Sequence, residues 1–172
     1  DHPDVRRMLL LMKAKTQAAR AICLSAGAAA DLARLSPDPD ERAGAARKAE
    51  LLTPIAKAWS TDVGVEVASL GVQVHGGMGD SEETGAAQFY RDARIAPIYE
   101  GTNGIQAIDL VTRKLNMRGG APVAEFFARL DATDAALDAA GQSLASIRTN
   151  LSAAVATLRG ATAYLTTADL DA

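Results

Sequence analysis

The middle of the segment RDARIAPIYEGTNGIQ, residues 91–106, holds one carboxylate, Glu100, between an apolar run and a Gly-Thr-Asn-Gly turn. A carboxylate beside Ile98 and Tyr99 that is partly desolvated has a raised proton affinity and can remove a proton from an activated carbon. A second interpretation is structural, because an acid just before a TNGIQ helix would meet the positive end of the helix dipole. Spacing alone favours this capping role. General-base catalysis stays open as the alternative, so the residues by themselves predict a helical protein with one candidate general base.

A second candidate site is the segment HGGMGD, residues 75–80, which contains three glycines. Glycine is favoured where φ is positive or where the backbone approaches another group, so the segment predicts a turn first and a ligand contact second. It is not a dinucleotide fingerprint, because position 82 is Glu82 rather than glycine, and no Gly-Lys-Ser/Thr follows for a P-loop. Contact with a nucleotide through another geometry stays open.

Composition excludes several classes of protein. With 23% charged residues, 48% apolar residues and a net charge of −3, the chain is typical of a soluble globular protein and offers no basic field for nucleic acid. Its apolar stretches are too short to cross a bilayer and no signal segment opens it, so we expect a cytoplasmic protein. Cys23 is the only cysteine, which excludes an intrachain disulfide. Because the chain begins with Asp1 rather than methionine, we expect it to be part of a longer protein.

Two histidines bear on metal binding. A di-iron site in a helical bundle needs Glu-x-x-His pairs on facing helices. Neither His2 nor His75 follows an acid at that spacing, so we predict no metal site.

The elements that must position these residues are all helical. Apolar residues recur every three or four positions along two long segments, the first ending before SPDPD and the second running from about Glu41 to His75, where Pro54 predicts a kink or a break. A short helix from about Glu82 to Arg94, another from about Thr102 to Met117, and two further amphipathic helices follow. No strand pattern occurs, so the sequence predicts an all-α, antiparallel up-and-down helical bundle. The apolar stripe of the first helix consists of Val5, Met8, Met12, Ala19, Ile22, Ala26, Ala29 and Ala33.

Two motifs in this order, VQVHGGMG (residues 72–79) and YRDARIAPIYEGTNGIQ (residues 90–106), closely resemble the C-terminal helical domain of the acyl-CoA dehydrogenases. The resemblance implies an FAD-dependent enzyme that desaturates acyl-CoA thioesters. It covers residues 1–117 as the helical bundle domain. Residues 118–172 resemble the start of the additional C-terminal helical extension of the longer members, the subgroup that includes 3-methylmercaptopropionyl-CoA dehydrogenase.

The resemblance also implies roles for individual residues. Glu100 would be the catalytic base that removes the α-proton of the thioester, and its backbone N–H would bind the thioester carbonyl as negative charge grows there. Tyr99 and Gly101 would shape the acyl slot. Arg91 and Asp92 would hold the neighbouring loop by an ion pair. The positions assigned to FAD are Gln73, Gly76, Gly77 and Thr102, with the glycine turn reaching the FAD of a neighbouring subunit.

Two departures from the family pattern affect the cofactor contacts. Asp80 stands where the family usually has an aromatic residue, and an acid near a pyrophosphate is unfavourable unless it points away. Gly104 stands where many members carry Gln or Glu, so a polar side-chain contact to flavin is not expected there.

Partners and alternatives follow from the same resemblance. The implied partners are an acyl-CoA substrate, a second copy in a homo-oligomer (dimer or tetramer) and an electron-transferring flavoprotein. The family's N-terminal and middle domains have no counterpart in these residues, so we expect this chain alone to be inactive. Two alternatives remain, which are an acyl-CoA oxidase and a non-catalytic helical module for oligomerisation.

Overall fold

The computed structural model describes residues 2–168 and contains only helices and turns in this range. It confirms the all-α prediction. The chain divides into two compact units, residues 1–109 and residues 110–172. The first unit contains the helices α1 (Pro3–Leu35), α2 (Pro39–Val74), α3 (Ala86–Ala93) and α4 (Asn103–Asp109), and the second contains α5 (Ala121–Ala139) and α6 (Ala145–Thr167).

Helices α1 and α2 form an antiparallel pair. Lys15 of α1 forms an ion pair with Glu66 of α2, and Cys23 lies 3.4 Å from the hydroxyl of Ser60, so positions rise on one helix as they fall on the other. Every residue of the predicted α1 stripe is buried or half-buried, as the stripe requires. The core of the first unit is made by small and aliphatic side chains, namely Met8, Ala29, Ala45, Leu51, Leu52, Ala56, Val63, Ala86 and Ala87.

Hydrogen bonds in the turn between α1 and α2 explain where α2 begins. Asp38 is the N-cap of α2, because its carboxylate accepts a hydrogen bond of 2.9 Å from the N–H of Asp40. Ser36 is buried, and its hydroxyl donates to Glu41 and accepts from the N–H of Asp38. The helix therefore begins at Pro39, two residues before the predicted start. Pro54 lies inside α2, which runs through it unbroken, so the predicted alternative of two separate helices is wrong.

The segments after α2 are shorter than predicted. Gly85 has a φ of +74°, and this left-handed residue divides the predicted Glu82–Arg94 helix into a 3-10 turn, Glu82–Thr84, and α3. The predicted helix from Thr102 to Met117 ends at Asp109 as α4 and passes into a π-helical turn, Leu110–Lys114. A 3-10 turn, Gly76–Gly79, links α2 to this region.

The second unit is a helical hairpin held by ion pairs. Arg159 of α6 donates two hydrogen bonds of 2.6 Å to the carboxylate of Asp131 of α5, and its guanidinium lies 4.3 Å from the ring centre of Phe127. Arg148 pairs with Asp134 at 3.2 Å. The later arginine of α6 thus pairs with the earlier aspartate of α5, and the earlier arginine with the later aspartate. Helices α5 and α6 are therefore antiparallel. The predicted boundary after Met117 stays a prediction.

Candidate functional site

Glu100 lies at the tip of a closed loop, which we call the Glu100 loop and define as residues 97–103. The N–H of Asn103 donates a 3.0 Å hydrogen bond to the carbonyl of Pro97, which joins the two ends of the loop. At the tip, Glu100 has a φ of +53° and Gly101 a φ of +84°. A residue other than glycine in this left-handed region is strained by about 1 kcal/mol or more, and such strain is concentrated at functional sites.

The predicted alternative role of Glu100, a helix cap, belongs to another residue. The hydroxyl of Thr102 accepts a hydrogen bond of 3.2 Å from the N–H of Ile105, and its carbonyl accepts one of 3.0 Å from the N–H of Gln106. This is the N-cap geometry at the start of α4. Neither the carboxylate nor the N–H of Glu100 takes part in any hydrogen bond or ion pair among the described residues. Thr102 rather than Glu100 therefore caps α4, and the capping interpretation of Glu100 is wrong.

The surroundings of Glu100 are more exposed than the partial desolvation considered from the sequence. Glu100 is exposed, and Tyr99 and Ile98 beside it are 51% and 49% exposed. The expectation that these neighbours partly desolvate the carboxylate is wrong for this chain taken by itself. A Cβ on Gly101 would lie 3.1 Å from the Nε2 of Gln106, and its φ of +84° also favours glycine at this position.

Two side chains that the sequence did not single out hold the Glu100 loop on α2. The ammonium of Lys57 donates a 2.7 Å hydrogen bond to the carbonyl of Ala96, just before the loop. The side-chain amide of Asn103 donates to the carboxylate of Asp62 at 2.8 Å and to the carbonyl of Ala58 at 3.0 Å. The only signal in the sequence was the asparagine within the Gly-Thr-Asn-Gly turn, because Lys57 is distant from the loop in sequence and lies in no motif.

The glycine turn has three glycines with three different environments. Gly76 has a φ of +63°, which favours glycine, and a Cβ on Gly79 would lie 2.2 Å from the carbonyl oxygen of Val72, so that position requires glycine. Gly77 has neither constraint, and nothing lies within 4 Å of the position that its Cβ would occupy. The turn is therefore open beside Gly77, and Gln73 in the last turn of α2 is also exposed.

Charged residues near the glycine turn confirm part of the prediction that Arg91 and Asp92 hold the neighbouring loop by an ion pair. Arg91 donates a 2.8 Å hydrogen bond to the carboxylate of Glu82, so an ion pair does hold the segment that follows the turn. Asp92 is not its partner and accepts instead from the side chain of Gln88 at 2.7 Å. Asp80, which follows the turn, is exposed.

The candidate residues form two separate groups, which lie beside different parts of α2. Tyr99, Glu100, Gly101 and Thr102 belong to the loop anchored at residues 57–62, whereas Gln73, Gly76 and Gly77 lie at the end of the helix. At 1.5 Å per residue these two places are roughly 20 Å apart along the helix axis. The structure does not bring the two groups together.

Among the described residues, no group of three or more His, Cys, Asp or Glu side chains is arranged to hold a metal ion. Within the same range, no helix has both the length and the apolar character that crossing a bilayer requires.

Comparisons with known proteins agree on one family. The model of the acyl-CoA dehydrogenase C-terminal domain matches residues 1–115. A 3-methylmercaptopropionyl-CoA dehydrogenase of Ruegeria pomeroyi is 51% identical over 153 residues, which are 89% of this chain and 26% of that protein. A butyryl-CoA dehydrogenase of Syntrophomonas wolfei is 36% identical over 130 residues, 76% of this chain and 21% of that protein. The chain thus spans about a quarter of the length of these curated relatives.

Proposed function

Because this chain belongs to the acyl-CoA dehydrogenase family through its C-terminal domain, we propose that it forms part of an FAD-dependent enzyme that desaturates acyl-CoA thioesters. In this proposal Glu100 is the general base for the α-proton. The observation that supports it most directly is the strained, exposed position of Glu100 at the tip of a closed loop, where it forms no hydrogen bond or ion pair with any described residue.

The proposed chemistry uses two groups of the same residue. A carboxylate oxygen of Glu100 takes the proton from the α-carbon of the thioester, a reaction that a positioned carboxylate can accelerate by about 10²- to 10⁴-fold. The N–H of Glu100 donates to the thioester carbonyl oxygen, where negative charge grows as the proton leaves. Since this N–H has no acceptor among the described residues, it is available for that bond.

The cofactor assignment rests on the glycine turn and on Thr102. The open space beside Gly77 allows a phosphate or a flat ring to approach the backbone, and the exposed Gln73 lies one helical turn before it. FAD supplies the hydride acceptor when it is bound. Because the two groups of residues lie roughly 20 Å apart along α2, we propose that they serve the FAD molecules of two subunits in a homo-oligomer.

Tyr99 and Gly101 complete the proposed substrate site. Tyr99 is half exposed beside Glu100, and we propose that it and Gly101 border the acyl chain. Closure of the slot around Glu100 then depends on residues outside this chain. The names of the relatives suggest two substrates to try first, 3-methylmercaptopropionyl-CoA and butyryl-CoA. The proposed electron acceptor is an electron-transferring flavoprotein.

The decisive experiment is the Glu100→Gln variant of the full-length protein, mixed with these thioesters without oxygen while flavin reduction is followed. We expect the rate constant of reduction to fall by about 10²- to 10⁴-fold, because the amide cannot accept the proton. Glu83→Gln is the matched control, since Glu83 is an exposed glutamate outside both groups and should leave the rate unchanged. Reduction of the Glu100→Gln flavin at the wild-type rate would exclude Glu100 as the base.

Two further measurements separate the alternatives. A full-length protein that is purified without flavin and does not acquire it would support a non-catalytic helical module. Rapid peroxide formation in air, in place of electron transfer to an electron-transferring flavoprotein, would identify an acyl-CoA oxidase.

A further inference from the structure

The Glu100 loop is held on α2 by Lys57 and Asn103, and each makes several contacts to it or across it. Lys57 is half-buried, and its ammonium has three neighbours. It donates 2.7 Å to the carbonyl of Ala96, lies 3.4 Å from the Oδ1 of Asn103, and lies 5.8 Å from the ring centre of Tyr99. A cation removed from water needs such oxygen acceptors, and an aromatic face adds to the attraction. Lys57 therefore contacts both ends of the loop, at Ala96 just before it and at Asn103 where it closes.

Asn103 is oriented by two opposite charges. Its Oδ1 faces the Lys57 ammonium, whereas its Nδ2 donates to the Asp62 carboxylate at 2.8 Å and to the hydroxyl of Thr61 at 3.0 Å. An amide with its oxygen and nitrogen exchanged would place a donor against the cation and an acceptor against the carboxylate, so this arrangement selects one orientation. The backbone N–H of the same residue closes the loop on Pro97.

These contacts matter because the tip of the loop is strained. The positive φ of Glu100 persists only where the surrounding structure enforces it, whereas Gly101 adopts its φ of +84° without strain. We propose, on the basis of the function proposed above, that Lys57 and Asn103 are positioning residues that hold the Glu100 carboxylate and N–H in their reactive geometry. Neither touches the reacting atoms in this proposal; both act through the loop. A displacement of about 1 Å in such a group can cost about 10²-fold in rate.

The test uses the full-length protein with FAD and three variants. Lys57→Met removes the cation but keeps most of the aliphatic chain, Lys57→Arg keeps the cation, and Asn103→Asp places a second carboxylate against Asp62. The control is Lys48→Met, the same change nine positions earlier on α2, because Lys48 is also half-buried and forms no hydrogen bond or ion pair with the loop among the described residues. Two quantities are measured with butyryl-CoA and 3-methylmercaptopropionyl-CoA, the rate constant of flavin reduction and the dissociation constant of the thioester. Amide hydrogen exchange of residues 98–103 reports on the loop itself.

We expect Lys57→Met and Asn103→Asp to lower the reduction rate constant by about 10- to 100-fold. The dissociation constant should change much less, and exchange in the loop should rise. Lys57→Arg should recover most of the rate, and Lys48→Met should match the wild type. A merely structural role would lower FAD content and thioester affinity along with the rate. If Lys57→Met does not fold, Asn103→Asp decides by the same criteria, because it exchanges a single side-chain group.

Several outcomes would overturn the proposal. Wild-type rates in both Lys57→Met and Asn103→Asp would show that the anchors are dispensable, and so would a lower rate without faster exchange in the loop. An equal loss of the reduction rate constant in Lys48→Met would show that removing any lysine charge from α2 has the same effect. If the wild-type flavin is not reduced by either thioester, the proposed function fails together with this role. Wild-type reduction with normal variants contradicts the positioning role alone.

Discussion

Gly79→Ala should destabilise the end of α2 because the added methyl group meets backbone atoms. A Cβ at this position would lie 2.2 Å from the carbonyl oxygen of Val72, 2.9 Å from its carbonyl carbon and 3.0 Å from the Cβ of His75. These atoms belong to the last turns of the helix and have no flexible side-chain end that could move aside. Overpacking of this kind costs about 1–3 kcal/mol.

The magnitude converts directly into a hydrogen-exchange measurement. Since about 1.4 kcal/mol corresponds to a factor of ten in an equilibrium constant, a local loss of about 1–3 kcal/mol raises exchange through local opening by about 5- to 150-fold. Peptides that cover residues 70–80 of the purified protein should show this increase, while peptides from α5 and α6 should not change.

Gly77→Ala is the matched control for the same turn. Nothing lies within 4 Å of its Cβ position and its φ is not positive, so exchange at the end of α2 should stay at the wild-type level when flavin-free proteins are compared. The proposed cofactor role predicts that this variant instead loses FAD, measured as the flavin-to-protein absorbance ratio. Wild-type exchange in Gly79→Ala, or an equal increase in both variants, would refute the steric argument.

Two other predictions concern a helix cap and a titrating carboxyl. Thr102→Ala should destabilise the first turn of α4 by about 1 kcal/mol, because the N–H of Ile105 loses its acceptor. Thr102→Ser keeps the hydroxyl and should not have this effect. Equal amide exchange at Ile105 in the two variants would contradict this prediction. The hydrogen bond from Ser152, together with Arg148, lowers the pKa of the Asp134 carboxyl below its usual 3.8, so its stabilising effect is complete above that pH and is lost as the pH falls through the folded value. Ser152→Ala should therefore weaken the acid sensitivity of the second unit, measured by urea unfolding between about pH 4 and pH 2, and an unchanged pH profile would exclude this cause.

Periodicity predicted the long helices well because their burial repeats along the chain. Every member of the α1 stripe is buried or half-buried, and α2 follows its own stripe except at Trp59, which is 42% exposed. A helix with one buried face repeats its apolar residues every three or four positions, and a sequence displays that period whatever the helix packs against. The stop at SPDPD was equally visible, because proline lacks a backbone donor and excludes the helix interior.

Shorter features depended on single dihedral angles and were missed. Gly85 divides a predicted helix because its φ is positive, and the same residue type is helical in α2 at Gly64 and Gly71. The sequence shows glycine in each case, but only its neighbours decide which conformation it adopts. The end of α4 at Asp109 was also missed, because apolar spacing continues past it to Leu115.

The sequence by itself determined the fold class, the family motifs and the choice of Glu100 as the candidate base, because each of these is written in residue types at short spacing. Only the tertiary structure decided that Thr102 rather than Glu100 caps α4, that the tip of the loop is strained, and that Lys57 and Asn103 hold it in place. The cap and the strain depend on single backbone conformations that residue type alone does not fix, and for the two anchors the physical reason is distance along the chain. Hydrogen bonds between positions some forty residues apart have no period and no spacing rule, so they appear only when α2 and the loop are packed against each other.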